Sequence, residues 1–219
     1  MSISIRGLTH VYSAAGGSVA ALLGLDMEFA DGEVVVVRGP NGSGKSTLVG
    51  ILSGTLRPSA GEVTITAARA TPHIATIRQF GNVVAELTGD EHAQVINAGV
   101  PSGRHVRASA MTVAQRQHLA IDLALLGAPD VVLADEPAAT LPHNDALDLY
   151  SELASRCRAA GATLLLVSHD IRSEAVADRV VRLRDGRVSE TWLPGQSERL
   201  AIDHRGWLRL PGPIRGRLG

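Results

Sequence analysis

The stretch 39–47, GPNGSGKST, constrains the fold more tightly than any other part of the chain, because of what flanks it. Before it, VVVVRG reads as a strand. After it, Leu48, Ile51 and Leu52 recur at three-and-four spacing, the mark of a helix with one apolar face. A strand feeding a glycine loop that feeds a helix is the opening unit of an α/β fold with a mainly parallel sheet. The loop satisfies G-x-x-x-x-G-K-[ST] with Gly39, Gly44, Lys45 and Ser46, in the context that pattern requires. Its glycines let backbone N–H groups curl around a phosphate without Cβ clashes, and the helix N-terminus adds partial positive charge. The phosphate-binding set is therefore Gly39, Pro40, Asn41, Gly42, Ser43, Gly44, Lys45, Ser46 and Thr47, with the Ser46 hydroxyl placed for Mg²⁺.

Of the 21 basic residues, Lys45 is the only lysine. A compact ammonium on a thin stem inserts between β- and γ-phosphates as a point charge, whereas arginine's planar fork would have to displace the loop. A chain that otherwise uses arginine keeps lysine where arginine would not serve.

The 219 residues, 45% hydrophobic, suit one domain with a sizeable core. The apolar runs at 34–37 and 163–167 fall far short of the roughly 20 residues a membrane helix needs. No charged and then apolar N-terminal segment suggests a signal peptide, and the lone Cys157 cannot form an internal disulfide, so a cytoplasmic location is expected. A net charge of −1, with both signs interspersed, leaves no basic stripe, and no nucleic-acid partner is expected.

Short strands are expected before residue 38, as SISIRGL, LLGLDMEFA and GEVVVVRG. Further strands are expected at GEVTI (61–65) and HIATIRQ (73–79), then a helix over 90–98, a loop near GVPSGR, and a helix over 113–126. PDVVLADEP and GATLLLVSHD are continuous apolar runs that suit strands buried on both faces. Between them 145–159 reads as a helix, and IRSEAVA follows as a short one. DRVVRLRDGRVSE reads as a hairpin turning at Asp-Gly. Residues 191–219, rich in Gly, Pro and Arg, read as an irregular tail after one domain, 1–190. Ligands of such sheets bind beyond the carboxyl ends of the strands.

VVLADEP ends a buried strand in two adjacent carboxylates, and alternation along a strand would send them to opposite sides. Asp135 is then expected toward Mg²⁺ and Glu136 toward an attacking water. With the phosphate loop 90 residues earlier, the chain resembles the nucleotide-binding subunit of an ATP-binding-cassette (ABC) transporter, from about residue 2 to about 190. GPNGSGKS and LADEP are the most specific elements of the resemblance.

The resemblance implies further roles. IRQF followed by ELTGDEH matches the glutamine loop, making Gln79 a Mg²⁺ or water contact that senses a membrane partner. VSHD matches the switch segment, placing His169 near the γ-phosphate. Contiguous Ser-His-Asp cannot supply a hydrolase triad. Tyr12, 27 residues before Gly39, matches the aromatic that stacks on adenine. ATP and Mg²⁺ are the implied ligands, with Lys45, Glu136 and His169 as the catalytic set. A membrane-spanning permease is the implied partner, holding the chain on the inner face of the membrane.

The pattern departs in three places. The family's signature loop, Leu-Ser-Gly-Gly-Gln, faces the γ-phosphate held by the opposite subunit. Here MTVAQ stands there, so Thr112, Val113, Ala114 and Gln115 occupy its positions, and two glycines are replaced by residues with a Cβ. Leu141 is followed by Pro142 where the family has an aspartate that communicates across the subunit interface. Only 31 residues lie between Gln79 and Met111, which predicts a shortened helical subdomain within 80–125.

Everything needed to hold and attack ATP from this subunit is present, while the parts lent to the opposite subunit are altered. A heterodimer with a competent site at Lys45 and a homodimer of reduced rate both remain open. The short single-cassette form resembles the lipoprotein-release and macrolide-export subclass, which implies export or membrane extraction. A nucleotide-gated interaction module with little turnover is the alternative function.

Overall fold

The computed structural model describes residues 2–14, 17–79, 83–95, 105–196 and 199–200. Strands β1 (Ser2–Ala14), β2 (Gly17–Phe29) and β4 (Ala60–Thr66) form an antiparallel three-stranded sheet in the order β2-β1-β4. β1 and β2 run past the expected segments, because Cα pairing continues through polar residues to Ala14↔Gly17. Thirteen-residue strands result, bent by register shifts near Gly7, where φ is +57°.

The second sheet has seven strands in the order β10-β9-β8-β3-β7-β6-β5: β3 (Val34–Arg38), β5 (Ile74–Ile77), β6 (Val131–Asp135), β7 (Thr163–Val167), β8 (Arg179–Arg184), β9 (Arg187–Trp192) and β10 (Arg199–Leu200). β8, β3, β7, β6 and β5 are parallel, and β9 and β10 are antiparallel additions. β9 carries regular structure past residue 190 to Trp192, and β10 pairs with it; residues 201–219 of the expected tail lie outside the described residues. The β8–β9 hairpin turns at Asp185 (φ 51°) and Gly186 (φ 73°), the two positive φ values a type I′ turn needs.

Side chains alternate across this sheet, and both faces are covered. Val34, Val36, Val132, Leu164 and Leu166 meet α3 (Val113–Leu126) and α4 (His143–Ala160) through Ile121, Leu149, Tyr150 and Leu153. Val35, Val37, Leu133, Leu165 and Val167 meet α1 (Lys45–Leu52) through Leu48, Ile51 and Leu52, and the β1–β2 arm through Ile5, Leu22 and Met27. Burial on both faces is why these strands are unbroken apolar runs. Removing one such leucine, as in Leu165→Ala, costs about 2–5 kcal/mol. Cys157 packs on the α4 face, and burial pushes its thiol up to about 12, so it stays protonated and inert.

The region between β5 and β6 holds α2 (Gly89–Val95), a 3₁₀ turn (Ala108–Ala110) and α3. The expected helix over 90–98 is seen from 89 to 95; its last residues and the GVPSGR loop lie outside the described residues. IRSEAVA forms a 3₁₀ turn (Ile171–Val176).

Candidate functional site

The carboxyl ends of the parallel strands bring the expected residues to one edge of the sheet. Gly39 follows β3, Gln79 lies two residues beyond β5, Glu136 one beyond β6 and His169 two beyond β7. Because β3, β7 and β6 are neighbours, the loops that follow them are neighbours too.

The loop 39–47 is held by the β8–β9 turn and the β2 arm: the Gly186 amide donates to the Ser43 carbonyl (3.2 Å) and the Leu23 amide to the Gly186 carbonyl (2.9 Å). This packing leaves no room for side chains at Gly39 and Gly44. A Cβ on Gly44, at φ 100°, would lie 2.4 Å from the Ala21 carbonyl oxygen, and one on Gly39 would lie 2.3 Å from that of Leu183. Pro40, Asn41 and Gly42 form an exposed lip, whereas Ser43, Gly44, Lys45 and Thr47 are buried and Ser46 is exposed. The Lys45 Nζ donates to the carbonyls of Gly39 (2.8 Å) and Pro40 (3.0 Å), leaving its third N–H for an anion. α1 starts on Gly44 with no side chain capping its first turn, and the buried Ser43 Oγ lacks a partner. Uncapped N–H groups, an ammonium and an orphaned hydroxyl around a Cβ-free cradle fit a phosphate chain.

Beside the loop, Ser46, Gln79 and Asp135 line one cavity of about 470 Å³ with Thr76, Ile77 and Arg78. Asp135 Oδ1 is buried without a partner there, while the Gln79 carbonyl takes a bond from Gln117 Nε2 (2.5 Å), which ties the loop after β5 to α3. A hydroxyl, an amide and an unpaired carboxylate oxygen are the hard oxygen donors Mg²⁺ prefers.

Glu136 parts from Asp135 for a reason other than strand alternation. β6 ends at Asp135, and Glu136 takes a left-handed conformation (φ 51°), which costs a residue with a Cβ about 1 kcal/mol or more. That turn aims its carboxylate at His169: Oε1 accepts the His169 amide (3.1 Å), and both oxygens lie 2.9 Å from Nδ1. A carboxylate only accepts, so Nδ1 carries the proton. Behind them the buried Tyr150 hydroxyl meets Ser168 Oγ (3.1 Å), and the same Oγ accepts the Asp170 amide (3.0 Å). Burial pushes the Tyr150 hydroxyl above its usual range, so it stays neutral. Burial works against the Asp170 charge, but the Arg172 side chain and amide outweigh it and hold the carboxyl below its usual value.

Tyr12 lies at the far end of the β1 arm, 44% exposed, with its hydroxyl 3.2 Å from Thr47 Oγ1 and its ring edge-on to His10. Its ring therefore flanks the phosphate loop without being buried by it.

Thr112, Val113, Ala114 and Gln115 are built differently. Thr112 Oγ1 accepts the Gln115 amide (3.2 Å), and Gln115 Oε1 accepts the Thr112 amide (2.9 Å), a complete capping box at the start of α3. The T-x-x-Q spacing of 112–115 carries that signal in the sequence. Val113 is 39% exposed. Pro142 stands at the N-cap of α4, and its carbonyl takes the Ala146 amide (3.0 Å).

A mostly parallel sheet with this loop at its centre, flanked by an antiparallel arm, defines a P-loop ATPase cassette. The profile of the family described as ABC transporter matches residues 22–139. A lipoprotein-releasing system ATP-binding protein, LolD, of Anaeromyxobacter dehalogenans is 30% identical over 220 residues, covering 85% of this chain and 92% of the relative. The macrolide export ATP-binding/permease protein MacB of Rhodopseudomonas palustris is 32% identical over 85% of this chain, which spans about a third of that protein (33%). Among solved structures, a dimeric ATP-binding cassette in a post-hydrolysis state with ADP and Pi matches with TM-score 0.73 at 23% identity, over 89% of this chain and all of that one (100%). The cassette cbiO1 from Clostridium perfringens, part of the cbiONQ transporter complex, matches with TM-score 0.74 at 22% identity, over 88% of each chain. This chain belongs to the ABC transporter family, as its ATP-binding ATPase cassette. Among the described residues no helix is long and apolar enough to cross a membrane.

Proposed function

We propose that the chain is the motor of a transporter for export or membrane extraction, driving a separate membrane-spanning permease from the inner face of the membrane. The lipoprotein-release and macrolide-export relatives support that direction. The observation that carries the catalytic assignment is the buried, unpaired Asp135 Oδ1, which lines one cavity with Ser46 and Gln79 while the adjacent Glu136 engages His169.

In this reading the 39–47 backbone and Lys45 bind the β- and γ-phosphates, and Tyr12 stacks on the adenine. Ser46, Asp135 and Gln79 hold Mg²⁺, which when bound supplies positive charge against the charge developing on the phosphates. Glu136 orients the attacking water, and the His169 amide and Nδ1–H fix its carboxylate in the required direction. The capping box on α3 supports a heterodimer in which the site at Lys45 is completed by the partner's signature loop. In a homodimer, both composite sites would meet the altered, partly capped start of α3 and turn over slowly. The same cap favours the second reading, a nucleotide-gated interaction module; ATP binding without hydrolysis in the presence of the partner would select it.

Replacing Glu136 with Gln keeps the shape of the side chain and removes the charge that orients water. With the cassettes assembled, phosphate release falls about 100-fold or more, while titration with a fluorescent ATP analogue shows binding retained. Unchanged phosphate release would overturn the assignment.

A further inference from the structure

β3 is four valines without exposure followed by Arg38, the residue that enters the phosphate loop. Its guanidinium is mostly buried, and Nη1 pairs with Glu174 Oε1 in the 3₁₀ turn after His169. Nη2 reaches the His169 carbonyl at 3.5 Å, while Nε is buried without a partner. The second Glu174 oxygen accepts Trp192 Nε1–H (3.2 Å) from β9. One carboxylate thus ties together the strand that enters the phosphate loop, the turn that follows His169 and the last full-length strand of the sheet.

As packing alone this is a poor arrangement. An aliphatic side chain would fill the place of Arg38 without burying a charge or stranding Nε. What the pair supplies is position. His169 holds Glu136 through its amide and Nδ1, and its own carbonyl is the group Arg38 reaches.

We infer that Arg38 and Glu174 are positioning residues for ATP hydrolysis: the pair fixes the His169 segment against the start of the phosphate loop, so that Glu136 stays directed at the water. The inference rests on the hydrolytic reading above. It predicts that loosening the pair moves turnover and the His169 amide, and leaves nucleotide binding alone.

The test compares Glu174→Gln, Arg38→Lys and Trp192→Phe with the unaltered chain, each in the assembled cassette pair. Arg156→Gln, which breaks a surface pair with Asp122 and Glu152, serves as the control for ion-pair loss in general. Hydrogen exchange without nucleotide is expected to quicken at the His169 amide by about tenfold or more in Glu174→Gln, with amides of 43–48 unchanged. kcat falls about 10- to 100-fold with KM for ATP within about twofold. Arg38→Lys, which keeps the cation, recovers part of both effects, and Trp192→Phe gives the smallest change. Unchanged exchange at His169 in Glu174→Gln and Arg38→Lys overturns the inference, as does equal acceleration across α4 and the phosphate loop. If the unaltered pair binds ATP without turning it over, the hydrolytic reading fails, and exchange at His169 still decides whether the ion pair positions the switch segment.

Discussion

Helices α1 and α3 are the two whose starts the proposed function turns toward ATP, and they begin in opposite ways. α1 starts on Gly44, in a left-handed conformation, with no side chain on its first-turn N–H groups and with Lys45 and an unpaired Ser43 hydroxyl beside them. α3 starts on Thr112, whose hydroxyl accepts the Gln115 amide and whose own amide donates to Gln115 Oε1, and it presents the Cβ groups of Val113 and Ala114. Donors left open by the fold are available to a ligand. At α3 the cap takes up the Thr112 and Gln115 amides, and the two amides between them are approached past the Cβ groups of Val113 and Ala114. One chain thus carries a helix start left open by the fold and one partly taken up by its own cap.

Substitutions at the two starts separate those roles. Lys45→Arg, which preserves charge and changes shape, is expected to weaken ATP binding at least about tenfold, or ~1.4 kcal/mol, in a titration with a fluorescent analogue; wild-type affinity would mean that the loop accepts any cation. Tyr12→Ala is expected to lose about 1–3 kcal/mol of ATP affinity with the stacking face. Tyr12→Phe removes only the bond to Thr47 and loses about 1 kcal/mol or less. Equal losses in the two variants would assign Tyr12 to holding Thr47 instead of a base. At the other start, Thr112→Ala is expected to cost about 1 kcal/mol of stability, lowering Tm by about 2–4 °C for a chain of this size. ATP affinity is expected to stay unchanged, and a loss of affinity would show that α3 contributes to binding.

The open start was legible in the sequence because its chemistry is local. Nine consecutive residues, with a strand before and a helix after, carry the loop, and the single lysine marks its charge. The buried strands were legible for a similar reason, since packing on two faces demands unbroken apolar runs. The T-x-x-Q of 112–115 carries a capping-box signal in addition to its signature-like position before the helix QHLAIDLAL, and the two readings are compatible.

Other features depend on distant parts of the chain meeting. Strand alternation was the wrong reason for separating Asp135 from Glu136, because the strand stops between them and a left-handed turn redirects the second carboxylate. Arg38 and Glu174 stand 136 residues apart, and nothing in their spacing announces a pair. The full length of β1 and β2 is not legible in the sequence because their outer halves pair through largely polar and small residues without an apolar period.

Amide hydrogen exchange of the assembled cassette pair, with and without ATP, reads both helix starts of this chain in one experiment. ATP is expected to slow exchange at 42–47 by about tenfold or more and to leave 113–115 nearly unchanged. Equal slowing at both would contradict an α3 start that offers ATP little, and no slowing at 42–47 would contradict an open, ligand-binding α1.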